Sequence, residues 1–126
     1  MPEDDENLVA VSGDNDAMYA AINEARATFR QFLDQFFAQR PNQTSFLVKI
    51  CFEDGDAVEH VWMADLDLAS DPPTGVVANE PQISTLTYMQ RVPINLSQLS
   101  DWMYFEDECL VGGFTTRALS SSTRGN

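Results

Sequence analysis

The chain has 126 residues and carries twenty Asp and Glu against seven Lys and Arg, a formal charge of −13 at pH 7. Its mean field therefore repels phosphate and anionic lipid, which argues against nucleic-acid and membrane partners. A hydrophobic content of 44% with eight Phe, two Trp and three Tyr argues against disorder and supplies the core of one domain, since a chain of this length buries roughly two-thirds of its unfolded surface.

The acidity serves solubility, and it also suits a basic protein or peptide partner drawn in by long-range attraction that salt weakens. Cys51 and Cys109 form no CxxC pair, and the N-terminal stretch MPEDDENLVAV has neither a basic n-region nor an apolar h-region. A cytoplasmic protein with free thiols is expected. Residues 1–13 read as an acidic N-terminal segment, 14–119 as a single α+β domain, and 120–126 as a flexible tail with nothing to bury.

Asp14 or Asp16 offers a carboxylate to cap a helix. From Met18 the apolar positions Met18, Ile22, Ala25, Phe29, Phe32 and Phe36 recur in steps of four and three, broadened by Ala21, Leu33 and Phe37,. The pattern stops at Pro41. It predicts a long N-terminal helix of about 25 residues, about 37 Å at 1.5 Å per residue, whose Phe-rich stripe packs on a mostly antiparallel, curved sheet of five or six strands.

After Pro41 the period changes to two. Phe46, Val48, Ile50 and Phe52 alternate with Leu47, Lys49, Cys51 and Glu53, and Asp54-Gly55-Asp56 marks a turn into a second strand from Ala57 to about Leu68,. A two-residue turn would set the even residues of the first strand beside Glu59. A three-residue loop would set them beside Val58, His60 and Trp62, and burial of that apolar set favours the second register, with His60 turned to the core. A short strand over Gly75–Ala78, a strand over Thr85–Val92, a helical turn within Asn95–Ser100 and a closing hairpin of Met103–Phe105 with Leu110–Thr116 complete the expected sheet.

Few residues recommend themselves for chemistry. His60 is the only histidine and no ligand pair has zinc or HExxH spacing, so no metal is expected. GxGxxG, GxxxxGK[ST] and GxSxG motifs are absent, and Gly112-Gly113 is not followed by an expected helix, so no cofactor is expected. As a general acid or base His60 needs an orienting carboxylate, and its neighbour Glu59 points to the other face of a strand. Arg117 suits either a structural ion pair to Asp101 or a ligand carboxylate, while Trp62, Trp102 and Tyr104 suit a groove that takes a peptide or a core.

The string EHVW (59–62), ANEP (78–81), DWMY (101–104) and GGFTTR (112–117), in that order, resembles the bacterial family called domain of unknown function 2314. The resemblance runs from about Asp16 to Leu119. It implies a small bacterial α+β domain, usually a short stand-alone protein, with no established activity, ligand or catalytic residue to carry over. Its polar and aromatic positions map onto His60, Trp62, Asn79, Asp101, Trp102 and Arg117, which become the candidate binding residues. The expected function is a non-enzymatic binding or protein-interaction module. The alternatives are an immunity protein or antitoxin that sets its acidic surface against a basic toxin, and an enzyme using His60 as acid or base.

Overall fold

The computed structural model describes residues 13–118; the acidic residues 1–12 and the 120–126 tail lie outside them. The helical region comes in two pieces, α1 (Gly13–Ala27) and α2 (Phe29–Ala38), so the single long helix expected from the periodicity is divided. Thr28 makes the division. Its φ of −107° and ψ of 7° leave the helical region, and its hydroxyl donates back to the Glu24 carbonyl at 2.7 Å, competition that bends or breaks helices. Asp14 and Asp16 fall within α1 rather than at its cap.

The helices precede a six-stranded antiparallel sheet that stays open: β1 (Gln43–Asp54), β2 (Ala57–Asp67), β3 (Thr74–Val77), β4 (Arg91–Pro93), β5 (Leu99–Glu106) and β6 (Cys109–Gly112), in the order β4-β3-β2-β1-β5-β6. The α+β architecture is as expected, and so is the helical turn within Asn95–Ser100, with two local corrections. Of the expected 85–92 strand only Arg91 and Val92 are strand, continued by Pro93, because residues 84–89 run largely through turns; Met89 and Gln90 still bond Val77 through the backbone. The helical turn forms as a short 3-10 segment, Leu96–Gln98, capped by the Asn95 side chain. The last hairpin turns at Asp107-Glu108, and its return strand ends at Gly112, after which residues 114–118 are helical.

The β1–β2 register corrects the expectation about His60. Asp54 pairs with Ala57, Phe52 with Glu59, Ile50 with Val61 and Val48 with Met63, so the loop is the two residues Gly55-Asp56. Gly55 takes φ +64°, as a two-residue turn with glycine first requires. Val61 and Met63, both fully buried beside Val48 and Ile50, outweigh the set that would have been buried in the other register. His60 and Trp62 lie on the opposite parity, with Cys51 and Lys49 as their cross-strand partners.

Against this sheet the helices bring Ala25 and Phe32. Phe32 stacks on Phe29 and Phe36 and meets Phe46, Trp102 and Tyr104 at centroid distances of 5.6 to 6.5 Å. Trp102, 1% exposed, donates its indole N–H to the Ala25 carbonyl at 3.0 Å, which satisfies a polar atom that burial would otherwise penalise. Phe37, included in the apolar stripe, is 55% exposed.

Gly112 is required by this packing. Its φ is +84°, and a Cβ there would overlap the Trp102 carbonyl and ring. The register makes a stability prediction: Met63→Ala costs about 2–5 kcal/mol as a fully buried truncation, whereas Val58→Ala, at a 56% exposed position, stays within about 0.5 kcal/mol. Urea unfolding of the two variants checks it, and equal losses would contradict the register.

Candidate functional site

One residue of irregularity builds the site. In the β1–β5 ladder Lys49 pairs with Asp101 but Ile50 pairs with Leu99, which leaves Ser100 as the extra residue of a β-bulge. Bulges re-aim side chains. Here the bulge brings Ser100 and Asp101 to the same neighbourhood, next to Lys49 and, one strand further, His60.

Asp101 is fully buried, and both of its carboxylate oxygens are engaged. Oδ1 accepts from the Trp102 N–H at 2.8 Å and the Phe114 N–H at 3.0 Å; Oδ2 accepts from the Thr115 N–H at 2.8 Å and the Thr115 hydroxyl at 2.5 Å. The carboxylate thus occupies the start of the 114–118 helical turn, where its charge and acceptors are favoured. That turn was missed in the sequence because its cap lies 13 residues upstream.

Thr115 passes this arrangement on, accepting from Lys49 Nζ at 2.8 Å. The ammonium also lies 5.0 Å from the Trp62 ring centroid, a favourable cation–π position. Burial lowers the Lys49 pKa, and the Asp101 charge partly restores it. On the other side Ser100, 2% exposed, sets its Oγ 2.9 Å from His60 Nδ1 and 3.3 Å from the Lys49 carbonyl. Burial first, and the Lys49 charge second, hold His60 below the ordinary histidine value.

Lys49, His60, Ser100 and Thr115 line a half-enclosed cavity of about 200 Å³, whose apolar wall is Met18 and Ile22 of α1. Of the six candidates from the sequence, His60 lines this cavity, Asp101 organises it from behind, and Trp62 flanks Lys49. The other three sit elsewhere. Asn79 accepts the Trp62 N–H at 2.8 Å and so ties the end of β3 to β2; Trp102 is in the core; Arg117 donates to the Leu110 carbonyl at 3.3 Å rather than pairing with Asp101. A groove shared by His60, Trp62, Trp102 and Arg117 is therefore not formed.

Lys49, Ser100 and Thr115 are the lining residues that sequence reasoning passed over. A signal did exist, because Lys49 is the only lysine of the chain as His60 is the only histidine. Among the described residues no group of three or more His, Cys, Asp or Glu gathers as a metal site, and no helix is long and apolar enough to cross a membrane. Cys51 and Cys109 are free, with burial, and then Glu53, raising the Cys51 thiol.

The sequence profile of domain of unknown function 2314, described as an uncharacterized protein conserved in bacteria, matches residues 15–125. The chain belongs to this family. It is 32% identical over 111 residues to an uncharacterized protein YegJ of Escherichia coli K12, a match covering 87% of this chain and 71% of that protein. It is also 32% identical over 108 residues to a putative ankyrin repeat protein of Neisseria meningitidis serogroup B, covering 79% of this chain and 43% of that protein. No solved structure matches.

The geometry of the site makes three predictions. Asp101→Asn turns an amide N–H₂ toward backbone donors and removes the charge facing Lys49, and costs on the order of 3 kcal/mol, read by urea unfolding. His60 binds protons less readily folded than unfolded, so its contribution to stability is lost as the pH falls from about 6.5 toward its lower folded value,. In an NMR titration Lys49→Met raises the His60 midpoint toward 6.5 without reaching it, because burial remains; an unmoved midpoint would show that Lys49 does not act on it.

Proposed function

We propose that this protein is a non-enzymatic binding module that engages a partner protein through the face bearing the Lys49–His60 cavity. The observation that carries this reading is convergence: the lone lysine and lone histidine, with two hydroxyls, open on one cavity backed by a buried carboxylate. Such a pocket, apolar on one side and lined by a few directed polar groups, is the usual form of a recognition site.

The hydroxyls favour binding over nucleophilic catalysis. The Thr115 hydroxyl is held between Lys49 and Asp101, and the Ser100 hydroxyl is buried between His60 and a backbone carbonyl. The Neisseria relative is named a putative ankyrin repeat protein, and that name is in keeping with a setting of protein contacts. The charge of −13 suits a partner surface that is basic around the anchoring group, drawn in by a field that salt screens.

A photo-reactive residue at Val58, exposed and on the strand parity of His60, tests the reading in cells that express the protein natively. It gives one cross-linked adduct that Lys49→Met abolishes and added salt weakens. An adduct indifferent to Lys49→Met, or matched from a control position at Asp71 in the β2–β3 connection, would overturn it.

A further inference from the structure

We infer that the Lys49–His60 cavity is a carboxylate receptor: it takes a carboxylate borne on a short aliphatic group, with the oxygens on Lys49 and His60 and the aliphatic part against Met18 and Ile22. The inference deepens the reading above by naming the chemistry of the anchoring group. It begins from the hydrogen-bonding capacity of the lining. A lysine ammonium has three donors, and Lys49 commits one to Thr115 Oγ1. Among the described residues no carboxylate lies within salt-bridge distance of it.

Asp101 compensates the charge at one remove, through Thr115, and its own oxygens are already taken by four donors. It is too fully engaged to reach across. A half-buried cation with free donors and a counter-charge held at a distance is arranged to accept an anion, because the second carboxylate need not displace the first. His60 adds a directed donor once it is protonated. Ser100 Oγ donates its one hydrogen to the Lys49 carbonyl and so accepts from His60 Nδ1–H; Nε2 of the neutral ring is then an acceptor, and the protonated ring donates from Nε2.

The shape selects among anions. Ser100 and Thr115 are 2% and 1% exposed and form a polar floor, whereas Met18 and Ile22 form an apolar wall. A bare inorganic anion would leave that wall uncovered. At about 30 Å³ for each water's share of liquid volume, a cavity of about 200 Å³ matches a ligand of about six or seven heavy atoms. A branched four- or five-carbon acid fits that size, and so does the carboxylate, Cα and side chain of a peptide's C-terminal Val. The two sources share one chemistry: a free carboxylate next to a small aliphatic group.

The test uses the full chain, isotope-labelled, titrated with 3-methylbutanoate, with its neutral amide, and with a short basic peptide ending in Val as the free acid or the C-terminal amide. The acids move the Lys49, His60, Ser100 and Thr115 signals and the Met18 and Ile22 methyls, and the amides bind at least tenfold more weakly. Lys49→Gln weakens the acids tenfold or more, while Lys49→Arg, which keeps the charge, retains most of the binding; the amide spectra of both variants report that the fold is intact. Binding also tightens as the pH falls and His60 takes up a proton.

Equal binding of acid and amide, shifts away from the cavity, or no binding of either acid would overturn the inference. Binding of 3-methylbutanoate without the peptide would uphold the receptor and assign it a free acid, and it would count against the protein-partner reading instead. A Val58 cross-link that depends on Lys49 in the absence of carboxylate binding would do the reverse.

Discussion

The buried carboxylate of Asp101 is the constraint on which the site depends. A charge removed from water is tolerated only when its lone pairs are met, and four donors from Trp102, Phe114 and Thr115 meet them. Three of these bonds fasten the segment after Gly113 onto β5 and fix Thr115 where it can hold Lys49. The Gly113 N–H, donating to the Trp102 carbonyl at 2.8 Å, closes the junction from the other side. Core and cavity meet here: Trp102 faces Ala25 and Phe32, while its neighbour Asp101 faces the polar cluster.

The molecule combines two electrostatic scales. At long range its excess of acids gives a negative field, which acts over about a Debye length and weakens with salt. At short range the only lysine and the only histidine lie at one cavity, where a lower effective dielectric gives each contact more weight than the distant surface. A partner that is basic overall and anionic at one point satisfies both.

Much of this fold can be read in the residues. The 3.6-period stripe of α1 and α2, the two-period strands and the Asp54-Gly55-Asp56 turn each state their element, because each repeats a local signal several times. What escaped depended on single residues, one acting locally and the others across strands. Thr28 divides the helix through one hydroxyl, the bulge at Ser100 shows only in pairing, and the 114–118 turn relies on a cap from another strand. The β1–β2 register was ambiguous because both parities of β2 carry large apolar residues. Val61 and Met63 prevailed over Trp62, whose ring can stay half-buried beside an ammonium, as the smaller aliphatics gain less from doing. The candidate residues divided along the same line: His60 and Asp101 reached the site, and Trp102, as conspicuous in the sequence, became core.

The scarcity of lysine has a practical side. With one lysine side chain in 126 residues, amine-directed chemistry on side chains has a single address, and it lies inside the cavity. Acylation of Nζ would remove the charge and add bulk between Trp62 and Thr115, closing the space from within. The rate of that reaction therefore measures how often the cavity admits a visitor, with no second lysine among the 126 residues to compete for the reagent.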